Sequence, residues 1–274
     1  MSGRIGLEAG WLGNTSGPAQ EWRGAWHINE VYQRLRRFSW PGLPGLPPPE
    51  AFASFRNTTT SPANAVGRLD RASEMTGNAD GKQGMLSVFL RPRALNSGSM
   101  ELFRDGLNRN ILFLTASTGL LRVRMISAGS QGITMDTVTP LPLGGWAHLL
   151  ASWDLNIGRA QLYLNDVANL NVISGPVNAT IDYTQPPYRM IATGDMWVDV
   201  SRFYLNMAES LDMTNSANRR KFIAGDGSQV FLGADGSTPT GNAPIVLFDG
   251  NGNAFADNRG YGGAWGLTGT LTED

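Results

Sequence analysis

The chain contains no cysteine. Disulfides and thiolate metal sites are therefore excluded, and stability must come from packing alone. Only 16% of its residues are charged, and the formal net charge is -1. That balance gives no electrostatic footprint for nucleic acid or for an anionic membrane surface. Histidine is almost absent, with His27 and His148 alone, and glutamate is scarce. No run approaches the roughly 20 apolar residues that a membrane helix needs. The start, "MSGRIGLEAGWLG", lacks the basic residues and continuous apolar segment of a signal peptide. The expectation is a soluble protein made and assembled in a cytoplasm.

What the chain has in quantity is glycine, 34 of 274 residues, together with Asn, Ser and Thr. Glycine and Asx residues supply turns and weaken helices, so the composition favours an all-β, loop-rich protein. The length suits one large domain with an appendage, or two small domains. The first forty residues differ from the rest. "AGWLGNTSGPAQEWRGAW" carries three tryptophans, and "HINEVYQRLRRF" spaces Ile28, Val31, Tyr32, Leu35 and Phe38 as one face of a helix. Arg34, Arg36 and Arg37 fall toward its C-terminal end, where positive charge is favoured. Trp40-Pro41 stops it, and "PGLPGLPPP" follows as a stiff linker. A helix this short needs a surface on which to bury itself. The division expected is an anchoring arm over residues 1–40, a linker over 41–51 and a β domain over 52–274.

In that third part the apolar period becomes two. "GMLSVFLRP", "RNILFLTAS", "LLRVRMISA", "GITMDTV", "WAHLLASWD", "RAQLYLND" and "VDVSRFYLN" read as successive short strands between turn residues. Such spacing implies antiparallel sheets in a sandwich or jelly roll. One helix is expected in "TNSANRRKFIAG", capped by Thr214 or Asn215, basic in its last turn and stopped by Gly225.

The stretch "LGGWAHLLASWDLNIGRAQLYLND" poses the main functional question, since His148 lies there between Trp146 and Trp153. Alternation sends Trp146, His148 and Leu150 to one side and Ala147, Leu149, Ala151 and Trp153 mostly to the other. On the returning strand, Ala160, Leu162 and Leu164 share a face. This is a hairpin covered on both faces, and His148 has no second ligand at metal spacing. It reads as structural. Catalytic constellations are equally thin. A glycosidase needs two carboxylates flanking one bond, but Asp199 is isolated, Glu209 and Asp212 stand three apart, and Glu101 has only Asp105 near it. No Gly-x-Ser-x-Gly elbow is present. "GYGGAWG" lacks the Lys-Ser/Thr of a phosphate loop, and its glycines more simply let a strand bend.

The hairpin "GGWAHLLASWDLNIGRAQLYLND" resembles the paired strands of the concanavalin A-like, laminin G-like superfamily. "RASEMTGNADGKQGMLSVFLRP" is similar to that superfamily's opening loop and strand, and "GGAWGLTGTL" to its closing strand. The resemblance spans about Phe52 to Leu271 and implies an all-β, concanavalin A-like jelly-roll sandwich of two antiparallel sheets. A narrower likeness lies at Asn215 to Gly250, where "NSANRRKFIAGDGSQVFLGADGSTPTGNAPIVLFDG" resembles a module of tailed-bacteriophage virion proteins. "GAWHINEVYQRLRRFSWPG" looks like phage tail-protein sequence too.

Taken together, these resemblances imply a virion structural protein rather than an enzyme. Its lectin-like domain would serve as a tail or baseplate adhesin for host surface glycans. The alternatives are a capsid decoration or head-fibre protein and, more remotely, a glycoside hydrolase. Trp11, Trp22, Trp26, Tyr32, Leu35 and Trp40 would seat the arm on other virion proteins, as buried aromatics do at interfaces; packing back on the sandwich is the plainer alternative. Loop clusters with aromatic and acidic groups are the candidate ligand sites: Asp195, Trp197 and Asp199 in "ATGDMWVDV", and Asp257, Asn258 and Tyr261 in "DGNGNAFADNRGYGG". The second cluster, with Asp249, Asn251 and Asn253, is oxygen-rich enough to suit a rim-bound calcium ion, although Asx and Gly also simply make turns. No other cofactor is expected. A homo-oligomer is expected, since weak sugar binding gains from multivalency, and the phage resemblance suggests a trimer.

Overall fold

The computed structural model describes residues 53–57, 67–115, 118–127 and 132–271. The arm residues Trp11, Trp22, Trp26, Tyr32, Leu35 and Trp40, and the linker, lie outside the described residues.

Among the described residues thirteen strands follow one another: β1 (Ala53–Asn57), β2 (Arg68–Arg71), β3 (Gln83–Arg104), β4 (Asn110–Thr115), β5 (Leu121–Ile126), β6 (Gly132–Thr137), β7 (Ala147–Asp154), β8 (Arg159–Leu164), β9 (Val167–Ala168), β10 (Leu170–Ser174), β11 (Tyr188–Asn206), β12 (Val246–Phe248) and β13 (Gly266–Thr268). Their pairings are antiparallel. The two long strands organise the rest. β3 and β11 pair from Met85 opposite Asn206 to Arg104 opposite Arg189. At one end they carry β4, β5, β6 and β10 on the β3 side and β2 and β13 on the β11 side. At the other end β7, β8 and β9 extend from β3, and β12 flanks β11. The result is a jelly-roll sandwich of two antiparallel sheets that share one ribbon.

Burial follows the alternation of the sequence where one face meets water. In β5, Leu121, Val123 and Met125 are buried while Arg122 and Arg124 lie at the surface side. β7 differs, for all eight of its residues are buried. Ala147, Leu149, Ala151 and Trp153 join the main core between the sheets. On the opposite face Leu150 packs with Met85, Tyr204, Met213, Phe222, Leu232 and Leu247, and Trp146 packs with Phe89 and Ile223. The irregular segment between β11 and β12 thus coats the outer face of the second sheet. The both-sides covering expected of this hairpin is what the structure shows.

Two local expectations need correction. The helix over "TNSANRRKFIAG" is a single turn, α1 (Ser216–Arg219), capped by Asn215, whose side-chain oxygen accepts from the Ala217 amide at 2.9 Å. It ends early because Phe222 and Ile223, adjacent in sequence, are buried in separate apolar clusters, and a turn there lets the chain serve both. The arginines reach sideways instead: Arg219 and Arg220 each pair with Asp166, at 2.6 Å. In addition, β1, β2, β9, β10 and β12 did not stand out in the sequence, being short or lacking alternation, while β13 falls in "GGAWGLTGTL", the stretch similar to a closing strand.

Gly84 marks a tight approach in the core. A Cβ there would lie 2.4 Å from Trp153 Cζ2 and 2.9 Å from the Asn206 carbonyl oxygen. The indole is fixed in turn, since its Nε1 donates to the Tyr183 hydroxyl at 2.8 Å, which donates onward to the Gln83 carbonyl at 2.8 Å. Gly84→Ala should destabilise the domain by about 1–3 kcal/mol, as overpacking a filled core does. Urea denaturation would show this as a lower midpoint; an unchanged midpoint would mean the indole can move aside.

Candidate functional site

His148 is fully buried. Its Nε2 is 2.8 Å from Ser87 Oγ, and its ring stacks on Phe89 with centroids 4.3 Å apart. Its amide donates to Asn165 Oδ1 at 2.8 Å, and its carbonyl accepts from the Asn165 amide at 2.9 Å. Asn165 and Asp166 form the two-residue turn between β8 and β9, both with positive φ, 52° and 65°. This is the backbone that an Asx pair tolerates best among non-glycine residues. Burial pushes the imidazole pKa down to about 3, so the ring is neutral at physiological pH. The histidine is part of the wall.

The first candidate cluster is not a loop rim. Asp199 is fully buried at the middle of the β3–β11 ribbon and accepts from Arg91 Nε at 2.5 Å and Arg93 Nε at 2.6 Å. A buried carboxylate needs such partners to offset its lost hydration, so Asp199 is an ion-pair centre and not an open ligand. Trp197 lies under the Arg93 guanidinium, 5.4 Å from ring centroid to carbon, in a cation–π contact. The Asp195 side chain lies outside what the structure describes.

Within the second cluster the residues separate. Asn258 staples the loop, accepting from the Leu247 and Gly260 amides at 2.8 and 3.0 Å and donating to the Ile245 and Gly263 carbonyls at 3.1 and 2.9 Å. Asn253 accepts from the Leu271 amide at 2.8 Å, and Asp249 pairs with Arg259 at 3.0 Å. Asp257 is exposed. Among the described residues no group of three or more His, Asp or Glu side chains gathers in a metal-holding arrangement. The side-chain oxygens of Asn253, Asn258 and Asp249 are engaged in turns and an ion pair. The sparse acids weighed as catalytic are also engaged: Glu101 with Arg104 at 3.1 Å, Asp212 with Gln161 at 2.7 Å, and Asp105 with the Arg109 and Asn110 amides at 2.8 and 3.0 Å.

Tyr261 belongs elsewhere. Its ring, 40% exposed, borders an open depression of about 280 Å³, where it meets Asn78, Asp80, Lys82, Gln83 and Asn156. Four segments converge there: the loop before β3, the β7–β8 turn, the chain just after β11 and the loop before β13. The ring lies against Gly77, where a Cβ would sit 3.2 Å from Tyr261 Cε2 on a backbone with φ of +68°. The Tyr261 amide donates to the Pro244 carbonyl at 3.0 Å and the Thr76 amide to the Gly262 carbonyl at 3.0 Å, so the two loops are tied together. Burial, and secondarily the charge of Glu209, raises the phenol pKa; the hydroxyl stays protonated and can both donate and accept.

The polar groups of this groove are held in place from behind. Gln83 and Asn156 both donate to Asp154, at 2.6 and 3.1 Å. Asp80 accepts from the Thr184 amide and hydroxyl at 3.1 and 2.8 Å, and Lys82 donates to Asn178 at 2.9 Å. Asn78 Nδ2 donates to Glu74 at 2.8 Å and to the Tyr183 carbonyl at 2.9 Å, while its Oδ1 is buried with no protein partner. In the sequence Tyr261 belongs with its own loop and "TGNADGKQ" with an opening segment. The signal was there in the density of amide and acid side chains between Gly77 and Gly81, but nothing local said that Tyr261 would meet them.

No protein-family model matches the chain, and no curated protein sequence does. Solved structures do. One, from Bacteroides ovatus and provisionally named for carbohydrate binding, superposes with a TM-score of 0.51 at 11% identity, over 74% of this chain and 53% of that one. The chain therefore spans about half the length of that protein. Another, a heptameric SAP-like pentraxin from Limulus polyphemus, gives 0.46 at 15% identity, over 81% of this chain and 95% of that one. At such identities the likeness is one of fold.

The buried histidine makes stability depend on pH. A base whose pKa is depressed by folding binds more protons when unfolded, so stability falls as pH drops below the unfolded value of 6.5 and continues to fall toward the folded value of about 3. Between pH 7 and 5, above the range where most carboxylates titrate, the denaturation midpoint should decline. A His148→Gln variant should lose most of that slope; an identical slope in the variant would show that other groups carry it.

Proposed function

We propose that the sandwich is a non-hydrolytic glycan-binding module whose binding face is the Tyr261 groove. The observation that carries this reading is the half-exposed aromatic ring set beside side-chain amides, a carboxylate and an ammonium group. A pyranose presents an apolar C–H face to an aromatic ring and hydroxyls to its sides, and polar groups fixed by their own hydrogen bonds orient such a ligand. The volume, about 280 Å³, is near the lower limit of small-molecule sites, which suits one sugar unit. The name of the Bacteroides ovatus protein of similar fold supports the same ligand class. Among the described residues Asp80 is the one carboxylate lining the groove, and it is occupied by Thr184, which favours binding over hydrolysis by a carboxylate pair.

On the sequence resemblances set out above, the module is displayed on a tailed-phage particle through residues 1–40 and serves host attachment. Removing the residues before Phe52 should then abolish incorporation into particles while leaving the sandwich folded. A tag after Asp274, imaged on intact particles, should label the tail; label over the head would favour decoration of the shell.

The groove itself is tested by titrating host surface polysaccharides and a panel of oligosaccharides by calorimetry. Tyr261→Ala should weaken binding at least about tenfold, in line with the loss of a stacking anchor, and Tyr261→Phe should weaken it less. Equal binding by the alanine variant would remove the groove from the reading, and release of new reducing ends would replace binding with hydrolysis.

A further inference from the structure

The three side-chain amides that line the Tyr261 groove share one orientation. Asn78 Nδ2 donates to Glu74 Oε1 at 2.8 Å and to the Tyr183 carbonyl at 2.9 Å. Gln83 Nε2 donates to Asp154 Oδ2 at 2.6 Å, and Asn156 Nδ2 donates to Asp154 Oδ1 at 3.1 Å. An ionised carboxylate only accepts, so nitrogen and oxygen are unambiguous in all three amides. Each amide nitrogen is thus turned toward the protein, and its carbonyl oxygen is the branch left over. Asn78 Oδ1 is buried and has no partner. Among the described residues no donor reaches Gln83 Oε1 or Asn156 Oδ1 either. Asp80 uses Oδ1 alone, for the Thr184 amide and hydroxyl, which leaves its Oδ2 as a fourth acceptor.

The charge around the groove has the matching sign. Among the described residues Glu74, Asp80 and Glu209 meet only neutral groups: Glu74 meets Asn78, Tyr188 and the Met75 amide, Asp80 meets Thr184, and Glu209 meets Asn206 and Asn242. Carboxylates elsewhere, such as Asp70, Asp136, Asp166 and Asp199, are held by arginine. Against the three stands Lys82, whose ammonium donates to Asn178. A carboxylated or sulfated sugar would bring acceptors to acceptors, and an N-acetyl group replaces donors with a carbonyl. An ammonium group has three donors and no acceptor. It makes charge-assisted hydrogen bonds to carboxylate and carbonyl oxygens, and the face of a tyrosine ring attracts it. We propose that the groove takes an amino sugar whose nitrogen is unsubstituted and protonated, as in a de-N-acetylated hexosamine chain. This rests on the glycan-binding reading of the groove and narrows its ligand class. A calcium ion would seek the same oxygens, but it takes about six to eight of them, and the test separates the two.

The full-length protein would be titrated by calorimetry, in EDTA, with glucosamine tetramers (chitosan) and with their N-acetylated counterparts (chitin). Galactosamine and N-acetylgalactosamine make a second matched pair. In at least one pair the free amine should bind at least about tenfold tighter, the worth of one hydrogen bond to a charged group. The preference should shrink as salt is raised. Asp80→Asn should reduce it, Lys82→Gln should enlarge it, and Tyr261→Ala should weaken the amine and the acetylated sugar alike. The proposal is overturned if the acetylated sugars bind as tightly as the amines, or if Lys82→Gln weakens amine binding. It is also overturned if tetralysine competes as well as the amino sugar, or if binding needs calcium in place of EDTA. Sugar binding that Tyr261→Ala abolishes but that shows no preference for the amine would retire this inference and keep the groove. Binding of no sugar at all, here or among the host polysaccharides, would retire both.

Discussion

Everything in this sandwich depends on β3 and β11 staying paired while they pass from one sheet to the other. Neither sheet exists without that ribbon, since β7 and β4 are attached to different halves of β3. The free edge of β11 is filled in turn by β2, β1 and β12. The strain of the passage is taken up by shifts of register, and at its centre Asp199 stands opposite Arg91. A carboxylate buried there would be ruinous alone; between two guanidinium groups it becomes a tie that ordinary apolar packing does not provide at a twisting crossing. Substituting only the aspartate would leave two like charges side by side on β3, two residues apart.

The groove is a product of the same ribbon. One wall is the chain entering β3, another is the turn joining β7 to β8, and β7 owes its position to its pairing with β3. Behind them runs a chain of hydrogen bonds from Trp153 through Tyr183 to the Gln83 backbone, with Tyr188 bonded to Glu74 and to the Tyr183 carbonyl. Groove and core are therefore contiguous: the indole that fills the space over Gly84 and the amides that line the groove at Gln83 and Asn78 belong to one network. Ligand binding at such a place needs little rearrangement, because the polar groups are already oriented.

The sequence revealed the sheets far better than the site. Period-two alternation located β3 to β8 and β11, because those strands either alternate or carry long apolar runs, and His148 between two tryptophans read correctly as wall. Short strands such as β12, whose three residues are all buried, have no period to detect. α1 failed to extend because burial of Phe222 and Ile223 in different clusters overrode the local helix signal. For the site, Tyr261 was singled out for a sound reason, an aromatic in a glycine-rich loop, but its neighbours come from Asn78 and Asn156, more than a hundred residues away. Asp199 meets the same limit: alternation along a strand says which side a carboxylate faces, but not whether arginines will meet it there.

The two ends of the β7–β8–β9 meander differ in a way that bears on how this protein can change over generations. At one end Asn165 and Asp166 hold positive φ, bond to the His148 backbone and receive two arginines, so an inserted or altered residue there would unseat several parts at once. At the other end Ile157 is 68% exposed, and a Cβ on Gly158 would meet nothing within 4 Å. That open turn also contributes Asn156 to the groove. The place where the chain can most freely lengthen is thus also a border of the groove, so the specificity proposed for it could be altered there without compensation in the core.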